Sequence, residues 1–168
     1  KLADQGDVSA RGPLLEMLAK GKFSGYKQLS EAAAAIAAKV ESGKKEREQE
    51  VRKALLHGTG EDLTSVQKQG IEKEVEGVVT MHAMHEAFLL FEVILAWYRD
   101  LELLGANGNS ALLLHRDVAE LSKKAWREGR AQPLESVQKH VNEARLALQR
   151  STSLQFCFEN LFLKLNFL

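Results

Sequence analysis

Between Ala87 and Leu104 the chain reads AFLLFEVILAWYRDLELL. Phe88 to Phe91 and Val93 to Leu95 are apolar all round a helix, and the stretch closes on the amphipathic segment Trp97-Tyr98-Arg99-Asp100-Leu101. A helix apolar on every face has to be enclosed by other helices or by lipid. The run from Ala87 to Tyr98 is 12 residues long and carries Glu92, too short and too polar for a membrane span of ~20 residues. It reads as the central helix of a helical bundle. Polar residues dominate upstream (VQKQGIEKEVEGVV), no proline occurs from Asp62 to Leu104, and glycine there is sparse. This stretch would span ~60 Å as a single helix at 1.5 Å per residue, and the pattern leaves open one helix or two in series.

The other elements follow from spacing. Pro13 suits a helix start, so a short helix is expected from Pro13 to about Lys20, ended by Gly21. Tyr26, Leu29, Ala33, Ile36 and Val40 recur at steps of three and four, the seam of a helix that packs on helices. The small side chains of Ala32 to Ala38 allow close approach. Ser42-Gly43 is either a break or a weak point, and Gly58-Thr59-Gly60 ends the segment. After the loop Gly105–Asn109, the positions Leu114, Val118, Leu121 and Ala125 predict a helix closing near Gly129. Leu134, Val137, Val141, Ala144 and Leu148 form the cleanest seam. The last helix, about Ser153 to Asn166, carries Leu154, Phe156, Phe158, Leu161, Phe162 and Leu165. No strand-like alternation bounded by turn signals stands out. The expectation is an all-α bundle of about six helices with one long central helix.

Composition narrows the function. The 168 residues suffice for one domain with a real core. The 23 basic and 23 acidic side chains balance, whereas proteins that grip phosphates usually show a basic excess; direct nucleic-acid binding is not expected. The single cysteine, Cys157, allows no internal disulfide and no cysteine-based zinc site. Cytoplasmic location is expected, with no signal peptide and no membrane anchor. The chain opens on Lys1 rather than Met, which suggests a piece of a longer protein.

Candidate chemistry is thin. His82 and His85 stand at i,i+3, followed by Glu86. Two imidazoles on one helical face could bind zinc if a third ligand came from elsewhere, but the order does not match the His-Glu-x-x-His helix of zinc proteases. The plainer reading is polar caps on the helix just before it enters the core. His115-Arg116-Asp117 spells the start of a kinase catalytic loop, yet the Asn four residues on, the glycine-rich loop and the DFG segment are all missing. Cys157, between Phe156 and Phe158, reads as a small core hydrophobe. Glu159 lies in an otherwise apolar helix and calls for a partner, since an unpaired buried carboxylate is costly. Either Arg99, Asp100 and Glu159 all reach solvent at helix ends, or Arg99 pairs with an acidic residue, Glu159 being one candidate, and pins the central helix to the last one. No catalytic, cofactor-binding or metal residue is assigned.

Three segments together suggest a family. They are Trp97-Tyr98-Arg99-Asp100-Leu101-Glu102-Leu103-Leu104, then Val141-Asn142-Glu143-Ala144-Arg145-Leu146-Ala147-Leu148, and finally Leu154 to Leu165 (LQFCFENLFLKL). In this order they resemble the C-terminal part of the bacterial DNA polymerase III clamp-loader small subunits, the delta-prime branch more than gamma/tau. Leu2 to Leu15 resembles the close of the family's small helical lid. The chain departs from the family at Ser151-Thr152-Ser153, where Asn is usual before the last helix, and after Leu104, where a hydrophobic-Asn-x-Asp segment is usual. The resemblance implies that residues 1–21 end the lid region and that residues 22–168 form the collar, a non-catalytic oligomerisation domain. Its family-motif residues are Arg99, Asp100, Ala144, Arg145, Glu159 and Leu161, and its partners are the other clamp-loader subunits. The ATPase module would lie upstream. A different class, a free-standing helical adaptor, fits the long charged helix as well, and a metalloenzyme using His82, His85 and Glu86 would require zinc.

Overall fold

The all-round apolar stretch lies in one unbroken helix of 41 residues, α3 (Ser65–Gly105). The computed structural model describes residues 10–56 and 64–167. The expected lid segment at Leu2–Ser9, the break at Gly58–Gly60 and the start of the long helix at Asp62 lie outside them. Among the described residues the remaining helices are α1 (Arg11–Lys20), α2 (Tyr26–Leu56), α4 (Ala119–Arg127), α5 (Leu134–Gln149) and α6 (Leu154–Lys164), and there is no strand. The fold is an all-α bundle built on one long helix.

α3 begins at a capping box. The Thr64 hydroxyl accepts from the Gln67 N–H, and the Gln67 side chain accepts from the Thr64 N–H, so two amides without helical partners are satisfied. Its first half leans on α2 through Val75 and Val79, both buried. By length and composition α3 could cross a membrane; in the structure 39% of its most apolar stretch is buried in protein, and one face of the second half lies in the bundle's core. Leu90, Phe91, Ile94, Trp97 and Leu101 are each at most 1% exposed, with α1, α2, α4 and α5 packed along it and α6 reaching it through the Phe91–Phe158 ring contact at 5.3 Å.

α2 runs 31 residues, straight through Ser42-Gly43. The Gly43 position matters for the pairing: a Cβ there would stand 3.3 Å from a carboxylate oxygen of Glu86 on α3. The missing side chain leaves room for that carboxylate between the two long helices. Leu29, Ala33, Ile36 and Val40 are buried as their spacing predicts, but Tyr26 is half exposed. α1 starts two residues before Pro13, which keeps proline in the first turn, where its missing N–H has no helical partner. It ends at Gly21, whose φ of 82° favours glycine. Leu14, Leu15 and Leu18 of α1 enter the same core as α2, α3, α5 and α6.

The expected seam Leu114–Val118–Leu121–Ala125 is not the one that forms. Residues 110–118 fold as two 3-10 turns, Ser110–Leu112 and Arg116–Val118, and α4 starts at Ala119. Its buried face is Ser122 and Ala125, and Leu114 and Leu121 remain exposed. α5 matches its seam: Val137, Val141 and Ala144 are buried, and Leu134 and Leu148 pack at the core's edge. In α6, Ser153 caps the Phe156 N–H, and the buried side is Cys157, Phe158, Leu161, Phe162 and Leu165. Phe158, Phe162 and Phe167 form a chain of ring contacts, 5.5 and 5.7 Å between centroids.

Phe156 and Phe158 therefore differ sharply, at 59% and 0% exposure. Phe158→Ala should lower unfolding stability by about 3–5 kcal/mol, and Phe156→Ala by less than about 0.5 kcal/mol. Urea denaturation of the two variants checks this.

Candidate functional site

The Arg-Asp end of α3 is the most organised polar site in the described chain. Asp100 is fully buried. Its carboxylate accepts the backbone N–H groups of Leu114 (3.0 Å) and His115 (2.9 Å) and a bond from the Arg99 guanidinium at 3.1 Å. Arg99, partly exposed, also donates to the Leu112 carbonyl at 2.9 Å. Charge-assisted bonds of this kind are about twice as strong as neutral ones. They fold residues 110–118 back over the end of α3, and they explain why that segment is not the first part of a longer α4.

His115 occupies the space below. At 3% exposure, its Nε2 lies 3.1 Å from the Val93 carbonyl of α3 and its Nδ1 lies 3.1 Å from the Arg11 guanidinium of α1. Arg11 also clasps Asp117 with bonds of 2.7 and 2.9 Å. The hydrogen bond from Arg11, more than the charge alone, holds the Asp117 carboxyl below its ordinary range. The His-Arg-Asp tripeptide thus joins α1 to α3. Arg11, its partner, carried no sequence signal.

Glu159 is buried, and its partners are not Arg99. Its carboxylate accepts from Ser30 (2.6 Å) and Tyr26 (2.8 Å) on the first turns of α2, and from Gln155 (2.9 Å) on its own helix. Arg99 does pair with an acidic residue, but it is its neighbour Asp100, and the candidate Arg99–Glu159 pair does not form. Nor do Asp100 and Glu159 reach solvent. Glu159 does pin α6 to another helix, but that helix is α2. These donors, Ser30 first and then Gln155 and Tyr26, hold its carboxyl below its ordinary value despite burial.

The other motif residues meet around α3. Ala144 is 5% exposed in the core and Leu161 is 1% exposed. Arg145 forms an ion pair with Glu92 of α3 and lies 6.0 Å from the Phe88 ring centre. His82 and His85 are exposed while Glu86 is buried. Among the described residues no group of three His, Cys, Asp or Glu is placed to hold a metal ion. Cys157 is buried, and burial pushes its thiol pKa up, away from the thiolate that a nucleophile needs.

Two of the concavities among the described residues border the core. One, about 250 Å³, lies where α1, α3, the α4–α5 turn and the C-terminal residues converge; Trp97, Tyr98, Arg130 and Gln132 line it. Arg130 is tied to the Leu18 carbonyl (3.0 Å) and to Glu128 (2.8 Å). The other, about 510 Å³ and more open, is walled by alanines of α2 and α3 beside the start of α6. No protein-family model, no curated protein and no solved structure was found to match the chain.

Replacing Asp100 strands two buried N–H groups, at about 1–3 kcal/mol each. Asp100→Ala should therefore cost about 2–5 kcal/mol in urea unfolding, and Arg99→Ala, which removes a partly exposed partner, about 1 kcal/mol or less. Because Glu159 binds its proton more weakly when folded, its contribution is fully present above the ordinary value of 4.5 and is lost as pH falls below it. Glu159→Gln should flatten the acid limb of a thermal-stability profile between pH 5 and 3, as scanning calorimetry would show.

Proposed function

We propose that this chain is the oligomerisation (collar) domain of a delta-prime-like clamp-loader subunit in bacterial DNA replication. The observation that supports the reading is the meeting of its three motif segments on one helix. Asp100, in the last turns of α3, anchors the segment that follows the helix, Arg145 pairs with Glu92 of α3, and α6 brings Phe158 against Phe91. Segments far apart in sequence thus form one packing unit.

In this reading the chain is a scaffold and performs no catalytic step. Its helices hold a cytoplasmic ring of subunits together and position ATPase modules that lie upstream. Side chains available for such contacts are Leu146 on α5 and Phe156 and Leu163 on α6, which are 51%, 59% and 40% exposed. They are large enough to anchor an interface if covered, and leaving them in water stabilises nothing in the bundle. A second reading, a helical adaptor, draws on Val66 and Met81 of α3, 76% and 75% exposed on the half of the helix remote from the core.

Size exclusion and pull-down with the remaining clamp-loader subunits of the same organism test the first reading. The expected result is co-elution, weakened by Leu146→Glu with Phe156→Glu in a variant that keeps its helical circular dichroism. A chain inert towards every subunit sinks the proposal. Capture of another partner, lost on Val66→Glu with Met81→Glu, favours the adaptor.

A further inference from the structure

His115 sits where three elements meet, and its two ring contacts admit one protonation state. A guanidinium has donors and no acceptor, and a carbonyl accepts only. Arg11 at 3.1 Å therefore needs a bare Nδ1, and the Val93 carbonyl at 3.1 Å needs a proton on Nε2. Both are satisfied by the neutral Nε2–H imidazole. A second proton would land on Nδ1, pointing at the Arg11 guanidinium, and would replace a hydrogen bond with two facing donors and two like charges.

The surrounding charges are already committed. From α3, Asp100 accepts from the Leu114 and His115 amides and from Arg99. On the same segment, Asp117 is taken up by Arg11. From α1, Arg11 faces the ring itself. Both carboxylates favour the imidazolium, and Arg11 opposes it, but burial is the largest influence and keeps the ring's pKa below its ordinary value of 6.5. The opposite end of α1 is held separately, by Arg130 on the Leu18 carbonyl and by Leu18 itself in the core.

We infer that His115 is a proton-sensitive latch that holds the N-terminal end of α1 and the segment 113–118 against α3 when neutral and releases them on protonation. The inference does not depend on the clamp-loader reading. The sign follows from linkage. The released state binds its proton at the ordinary histidine value and the docked state binds it at lower pH, so docking is strongest above 6.5 and weakens as pH falls below it. At pH 5.5, one unit below 6.5, the released fraction can rise by at most about tenfold.

Amide hydrogen exchange by NMR, corrected for the intrinsic pH dependence of exchange, reads this directly. Between pH 7.5 and 5.5, opening at Leu14, Leu15 and residues 113–118 should increase several-fold relative to α5, with Gly21 at the far end of α1 following α5. Long-range proton–nitrogen spectra should show His115 protonated at Nε2 at neutral pH and titrating below 6.5. His115→Gln keeps one acceptor for Arg11 and one donor for Val93 without a titrating group, and should abolish the acid response. Should that variant fold poorly, Arg11→Gln removes the opposing charge and should move the His115 titration upward. An Nδ1–H tautomer, a titration at or above 6.5, an acid response that survives in His115→Gln, or α1 exchange that tracks α5 at both pH values would each overturn the latch.

Discussion

A helix that is apolar on every side cannot exist in water uncovered, and the second half of α3 imposes that condition on the rest of the chain. Five other helices are arranged to meet it. α2 lies along its length, α1 and α4 cover its C-terminal end, α5 packs along a further side, and α6 closes the gap between α2 and α5. The large residues at the centre (Phe91, Ile94, Trp97, Phe158, Phe162) are all at most 1% exposed. Fully burying side chains of this size is worth about 1.5–3 kcal/mol each, which makes this layer the main source of cohesion. The polar features sit at its margins.

Those margins are set by two buried carboxylates used in the same way. Asp100 and Glu159 each stand at the edge of the apolar layer, and each accepts three hydrogen bonds from groups brought in by other parts of the chain or by a neighbour. A buried carboxylate without donors would be driven to neutrality; with three donors it becomes a fixed point to which a helix or loop is tied. Asp100 ties the 110–118 segment to α3, and Glu159 ties the start of α2 to α6. The outcome is two separate joints, each specified by one acid.

Periodicity was enough to place the helices whose buried face is narrow. The seams of α2 and α5 are legible because their apolar residues alternate with charged ones and little else competes. It failed for Leu114–Ala125, where the leucines keep helical spacing but Asp100 takes the amides of Leu114 and His115 for itself. Tertiary bonding to a residue 14 positions earlier leaves no local trace. The same limit explains Glu159: its need for partners was visible, but Tyr26 and Ser30 lie in a segment whose apolar pattern masked their hydroxyls. The capping box at Thr64 and Gln67, by contrast, is a wholly local pattern, a Thr three residues before a Gln. Ser151 adds a smaller case. Its φ of 66° lies in the left-handed region, which Asn tolerates better than Ser, and no spacing of apolar residues announces it.

α3 also divides into two mechanical regimes. From Leu90 to Leu101 most of its residues are buried, with Glu92 left exposed; from Ser65 to about Val79 it packs against α2, through Val75, Val79 and the Arg52–Glu72 ion pair. The free energy needed to open the backbone should therefore rise along one continuous helix, from near nothing at the tip to that of the whole domain at Trp97. An uninterrupted hydrogen-bond ladder links the two ends. A contact at the tip therefore stiffens a frayed end first, and the core feels it only after that half of the helix has been ordered.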